Sequence, residues 1–307
     1  MHENEGPIVP QKTVHARITE EIVAAIAAGA PEFEMPWHGS GLQRGRPVNA
    51  ASRIPYRGVN ILALWIAAEK KGFHTGTWAT YRQWSALDAQ VRKGETGSLI
   101  VFFKEIERRA RVEETGEETT ENYLVARASW VFNADQVKGW RNPPVTQSNP
   151  PQVLAKAEAF IQAIGADIRT GADMACYFPE QDYIEVPDRE RFIGTATSSA
   201  TESFYATVLH ELTHWTGHKR RLDRDLSTRF GNGAYAMEEL VAELGAAFLC
   251  ADLGVTNSPR SDHAAYVGNW IKVLGSDPRA IFLASARAGA AVDYLTGLQP
   301  GPRAMTH

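Results

Sequence analysis

The chain has 307 residues, 44% of them hydrophobic and 22% charged, with 25 glycines and 16 prolines. That composition excludes a disordered, collagen-like or coiled-coil protein, and at about 100 to 200 residues per domain the length suggests two domains, each with room for its own core. The net charge of -4 argues against a nucleic-acid partner only as an average, so its distribution along the chain decides.

The N-terminus, MHENEGPIVPQK, lacks the basic and apolar regions of a signal peptide. No stretch reaches the roughly 18 apolar residues of a membrane span. Cys176 and Cys250 are too few for a disulfide framework and lack C-x-x-C spacing. A cytoplasmic protein is expected, with no membrane partner.

Hydrophobic spacing predicts a first helix over Val14 to Ala28 closed by Gly29, and a second over Val59 to Lys71 closed by Gly72. A short helix over Thr80 to Leu87 follows. Alternation over Leu99 to Lys104 and Tyr123 to Phe132 predicts a β-hairpin, with Ile106 to Asn122 as an acidic, solvated tip.

From Gly41 to Lys93 there are nine basic residues against two acids, Glu69 and Asp88. Nine aromatics interleave between Trp37 and Phe103. Cations that track phosphates, with rings that stack on unpaired bases, are what single-strand binding uses. Trp65, Phe102 and Phe103 sit in apolar runs and read as core. The candidate DNA contacts are Arg53, Tyr56, Arg57 and Asn60 in SRIPYRGVN, Trp78, Thr80 and Gln83 in TWATYRQW, and Arg92 and Lys93 at the VRKGETG turn. The alternative is an ordinary solvated basic surface.

Arg141 to Pro151, RNPPVTQSNPP, holds four prolines and fits neither helix nor strand. It sets the expected division: residues 1–140 as one domain, 141–151 as a linker and 152–307 as the second domain. Residues 1–148 carry 18 Lys and Arg against 17 Asp and Glu, and residues 149–307 carry 14 against 19, so the acidic excess belongs to the second half.

That half reads as a helix over Gln152 to Ile164, then short strands near Ala166 to Arg169, Met174 to Phe178 and Tyr183 to Val186. Helices follow near Thr201 to Thr216, Ala236 to Leu253, Ser261 to Leu274 and Pro278 to Leu298. The fold class is therefore α+β, the first domain carrying an antiparallel hairpin and the second mainly helical.

The sequence VLHELTHWTGH contains H-E-x-x-H at His210, Glu211 and His214. On a helix the two histidines share a face one turn apart, as tetrahedral zinc requires, and the glutamate can activate water. Phe204, Tyr205, Val208, Leu209, Leu212 and Trp215 form the apolar stripe, with the histidines on the opposite side beside small residues.

In AMEELVAELGAAFL, Glu239 and Glu243 stand i,i+4 among Ala242 and Ala246, which lets a second helix come close and offer a third ligand. Glu239 is the favoured third ligand, Glu243 an orienter or substitute, and His218 the rival. Gly217 matches the metzincin pattern, but Arg220 stands where its third histidine would be, which favours a glutamate. The plain alternative is a surface helix with an exposed histidine pair. Tyr235 and His263 are weaker candidates for polarising a carbonyl. Arg220, Arg221, Arg224 and Arg229 read as a solvated basic loop.

Several blocks occur together in one order: YRGVNILALW, TWATYRQW, VRKGETG with VFF, HELTHWTGHKRRL, YAMEELVAELGAAFL and DPRAIFLASARAGAAVDYL. In this the chain resembles the ArdC-type antirestriction proteins of conjugative plasmids, from about Thr13 to Leu298. The resemblance implies an N-terminal single-stranded-DNA-binding domain and a C-terminal zincin-like metallopeptidase domain that together protect incoming DNA from host restriction. It carries His210, His214 and Glu239 over as ligands of one zinc ion and Glu211 as catalytic base. Single-stranded DNA is the implied partner, with double-stranded DNA weaker. A DNA-recruited zinc metallopeptidase that cleaves a host protein is the alternative function.

Overall fold

The computed structural model describes residues 13–29, 45–111, 118–141, 150–194, 199–226, 233–255 and 263–300. Helix α1 (Val14–Gly29) buries Ile18, Ile22 and Ile26 at four-residue spacing, the apolar stripe of one helix face. After β1 (Val48–Asn49), helix α2 (Val59–Lys71) ends at Gly72, whose φ of 64° is the left-handed closure that glycine adopts without cost. Strand β2 (Thr77–Thr80) leads into α3 (Tyr81–Ala86), started by a capping box between Thr80 and Gln83.

Strands β3 (Gln90–Val91), β4 (Ser98–Arg111), β5 (Glu118–Asn133) and β6 (Val137–Lys138) complete this half. The main sheet has the order β1-β2-β5-β4, with β1 parallel to β2 and the other pairs antiparallel; β3 and β6 form a separate pair. The β4–β5 hairpin is longer than its alternation predicts. Pairing continues to Arg111 opposite Glu118, and the register also sets Arg108 opposite Glu121. Most of the expected acidic tip is therefore strand. Trp37, Arg44 and Arg229 lie outside the described residues, as do residues 142–149 of the proline-rich segment.

The second half begins with α4 (Pro150–Ile164) and strands β7 (Asp167–Thr170), β8 (Cys176–Phe178) and β9 (Tyr183–Val186). Their order is β7-β9-β8, with β8 antiparallel at one edge and against helix α5 (Ala200–Trp215). Helices α6 (Gly233–Leu253), α7 (His263–Ser276) and α8 (Ala280–Gly297) follow.

One apolar cluster runs through both halves, joining Ile18, Ile22 and Trp65 to Leu240, Phe248 and Ile281. The Trp65 and Phe248 rings are 5.9 Å apart, Thr19 donates to the Pro278 carbonyl at 2.6 Å, and Arg46 grips Asp252 with two bonds of 2.7 and 2.6 Å. Two separate cores were expected; instead the halves share the largest one. The N-terminal half keeps two small clusters of its own, around Trp84 and around Trp78. At about 1.5–3 kcal/mol per fully buried large side chain, the shared cluster ties α1 and α2 firmly to the helices of the second half.

Candidate functional site

Helix α5 opens on a capping box in which the Ser199 hydroxyl accepts from the Glu202 amide. It runs four turns with its apolar stripe on the core. The side carrying the histidines is also covered: His210 is 4% and Glu211 3% exposed. What covers it is α6, which comes close because Gly245 faces Thr213. A Cβ on Gly245 would sit 2.5 Å from Thr213 Cγ2, nearer than atoms tolerate. The sequence pointed to Ala242 and Ala246 for this approach; Gly245 is the position where a side chain would meet α5.

The crossing brings three groups together. His210, His214 and Glu239 offer ligand atoms that all lie within 4.8 Å of one another. His210 Nε2 is 3.6 Å from Glu239 Oε2 and His214 Nε2 is 3.6 Å from Glu239 Oε1. Ligand bonds of 2.0–2.1 Å in a tetrahedron put neighbouring donors about 3.4 Å apart, so this set fits a small divalent cation. The remaining ring nitrogens face carboxylates: His214 Nδ1 lies 3.2 Å from Glu238 Oε1, and His210 Nδ1 lies 3.6 Å from Glu243 Oε2. The Glu238 contact fixes the His214 ring with Nε2 toward Glu239, the usual support of a ligand histidine, while Glu243 stands beyond hydrogen-bond range and faces His210 as a charge.

Glu238 was not a sequence candidate, and Arg224 was read as solvated. The structure buries both, at 5% and 9% exposure, and joins them. Arg224 Nη2 donates to Glu238 Oε1 at 2.8 Å and Nε to Oε2 at 3.0 Å, while its other bonds go to the Thr213 carbonyl and the Thr216 hydroxyl. The ladder therefore runs from Arg224 through Glu238 to His214. Arg221 is also structural, paired with Asp182 and packed over Trp215. The pattern Glu238-Glu239 was the available signal: adjacent carboxylates on a helix point about 100° apart, so one can meet a ligand position while the other backs a histidine.

Electrostatics follow from this crowding. Burial disfavours charge on His214, but the Glu239 charge and the Glu238 bond outweigh it and hold the imidazole up to about 10. Burial would raise the Glu239 and Glu238 carboxyls, yet His214, with His210 for the first and Arg224 for the second, holds both below the ordinary carboxylate range. The acids thus demand a cation. A proton on His214 meets the demand, and so does a metal, which requires that ring neutral. Cys176 on β8 lies near enough for Glu211 and Glu239 to add to burial in pushing its thiol up to about 11.

His218, the rival ligand, lies outside this set. Helix α5 ends at Trp215, and the chain turns so that His218 lines a separate cavity of about 410 Å³ with Asp182 and Arg220, its Nδ1 accepting from the Arg220 amide. Tyr235 is half-buried in the first turn of α6, and the side chain of His263 is outside the described set.

The DNA candidates divide. Trp78 is fully buried, in contact with Phe73, so it has no face for a base and is withdrawn. Strand β2, for which no strand was expected, is internal to the sheet. Asn60 is half-buried and spends its amide on both backbone groups of Val101. Tyr56, Thr80 and Gln83 are brought together: Asn49 Nδ2 donates to the Tyr56 hydroxyl and to Gln83 Oε1, which also accepts from the Thr80 amide. Arg92 is tied to Glu95 and the Asp135 carbonyl, and Arg57 to Asp293. Arg53 and Lys93 are exposed, the Arg53 guanidinium 5.5 Å over the Trp140 ring. Phe102 and Phe103, expected in the core, are 45% and 51% exposed. At their level the sheet has narrowed to the two-stranded β4–β5 ribbon, because β2 pairs with β5 only as far as Val131.

No described helix is long and apolar enough to cross a membrane. Comparison with known proteins places the chain. Residues 12–132 match a family described as the N-terminal domain of anti-restriction factor ArdC, and residues 155–287 match a zincin-like metallopeptidase family. An uncharacterized Sinorhizobium fredii protein, y4eC, is 45% identical over 289 residues, covering 93% of this chain and 92% of the relative. The DNA primase TraC of Escherichia coli is 35% identical over 94% of this chain, which spans only 27% of that primase. The crystal structure of the antirestriction protein ArdC of plasmid R388, metal-free, superposes with a TM-score of 0.72 at 40% identity, covering 94% of this chain and 98% of that one. Its Mn(II)-bound form gives 0.73 at 37% identity over 96% and 100%. The chain belongs to the ArdC antirestriction family.

Proposed function

We propose that this protein protects incoming plasmid DNA from restriction by holding it single-stranded, with double-stranded DNA bound more weakly, in the cytoplasm of a recipient cell. The N-terminal half, residues 1–140, would supply the DNA surface. The second half, residues 152–307, would hold one zinc ion, joined through the proline-rich 141–151. The carrying observation is the likeness to the R388 antirestriction protein over nearly the whole of both chains.

His210, His214 and Glu239 would hold the ion, with Glu238 orienting the His214 ring and Glu243 facing His210 as a charge. The chemistry such an ion supplies is polarisation of a carbonyl and acidification of water. Glu211, buried beside His210, takes the proton from the attacking water on its carboxylate and returns it to the leaving amine. Glu239 contributes its charge to the ion. This arrangement supports a second reading, a metallopeptidase recruited to DNA that cleaves a host protein; the observation that favours it is a glutamate at position 211 next to a complete ligand set.

Transfer of a plasmid carrying or lacking this gene into restricting and non-restricting recipients tests the first reading. A gain confined to restricting recipients is expected, and equal transfer overturns it. Glu211→Ala in the same assay separates the readings: unchanged protection leaves binding as the mechanism, and lost protection from a folded, metal-loaded variant assigns it to proteolysis.

A further inference from the structure

Trp130 stands on β5 directly opposite Leu99 of β4. Leu99 is 5% exposed and Trp130 49%, so at one level of the ribbon one partner is core and the other is left open. A cavity of about 220 Å³ adjoins the indole, between the sheet and α2, lined among others by Trp130, Leu99, Ala67, Lys70 and Lys71. Glu21 of α1 is the one acid on its wall. The Arg17 guanidinium of α1 lies 5.4 Å from the Trp130 ring centroid. The same face of the ribbon continues through Ala128 to Phe103, which is opposite Ala126, half-exposed, and 6.2 Å from His15. Four residues of strand separate the two levels, about 13 Å.

These features agree on one ligand class. A half-exposed indole beside a cavity offers apolar surface on which a base can stack, with the Arg17 guanidinium over the ring as a cation at its edge. The walls carry cations, and cations with open rings suit a phosphate backbone with accessible bases. Bases of a duplex are paired and stacked within it and do not reach a recess between a helix and a strand, so the occupant is single-stranded.

We infer that single-stranded DNA lies along this face of the β4–β5 ribbon, one unpaired base stacked on Trp130 in the cavity, with its flanking phosphates on Lys70 and Arg17. The inference rests on the single-strand reading above and assigns it a surface carried by none of the residues selected from sequence. Phe103 serves a second base further along. Lys71, whose ammonium donates to the Thr96 carbonyl at 2.8 Å, holds the edge of the cavity.

The test is anisotropy of a labelled oligothymidylate titrated with the full-length protein at two salt concentrations. Trp130→Ala is expected to weaken binding about 5- to 150-fold, the range of one base–aromatic stack, and Trp130→Phe to restore most of it. Ala67→Leu fills the cavity with a side chain that a helix accepts nearly as well as alanine, so affinity falls while the melting temperature holds. Lys70→Gln lowers the slope of log affinity against log salt by about 0.7. Wild-type binding that is matched by both Trp130→Ala and Ala67→Leu overturns the groove and leaves the single-strand reading standing. A wild-type protein that does not bind the oligonucleotide overturns both.

Discussion

The candidate metal centre and the N-terminal half arrange their charges in different ways. At the α5–α6 crossing the charged groups are linked in a chain: Arg224 backs Glu238, Glu238 backs His214, and Glu239 spans both imidazoles. In the N-terminal half the cations are spread over separate loops and helices, and several are spent on single exposed pairs, local as with Arg92 and Glu95 or distant in sequence as with Arg57 and Asp293. The lesson is that a buried site is held by interdependence, where each removal strands a partner, whereas a surface is a sum of nearly independent parts.

The sharpest challenge to this contrast is at the ligands themselves. His214→Ala or Glu239→Ala is expected to reduce bound metal from one equivalent to near none, measured by metal analysis after dialysis, while His218→Ala keeps it. Next comes Arg224→Ala, which leaves the buried Glu238 carboxylate without its cation; destabilisation of about 3–5 kcal/mol is expected in chemical denaturation. Glu238→Gln, which keeps the shape but weakens the support of His214, should lower metal affinity about 10- to 100-fold. If either variant behaves like an exposed-charge substitution, the interdependence is wrong.

Gly245→Val probes the packing that brings the two helices together. A side chain aimed at Thr213 should cost about 1–3 kcal/mol as an overpacked core and loosen metal binding with it. At the small end lies Arg57→Ala. Its ion pair with Asp293 is exposed on both sides, so less than about 1 kcal/mol is expected from the same denaturation measurement. A larger loss would mean that the N-terminal surface is as interlocked as the metal centre.

Much of the metal centre was legible because its determinants are local. His210 and His214 are one helical turn apart in any α-helix, and Glu239 with Glu243 repeats that spacing on the next. Glu238 and Arg224 were not legible, since nothing local tells that Arg224 folds back from the loop after α5 onto α6. The N-terminal half was legible as composition and not as surface. Trp78 and Trp130 both lie in strands, but β2 is covered on both faces while β5 at Trp130 has passed the end of β2, so one tryptophan is hidden and the other open.

By itself the sequence determined most of the helices, the H-E-x-x-H spacing and the acidic pair on the second helix. All of these depend on contacts a few residues apart, whose geometry follows from the 3.6-residue turn or the two-residue pleat. Tertiary structure alone decided that the two halves share a core through Trp65 and Phe248, that Gly245 lets α6 reach α5, and that Arg224 anchors the ligand ladder. Each of these joins residues far apart in the chain, and which distant surfaces meet is set by how whole elements pack to exclude water rather than by any local preference.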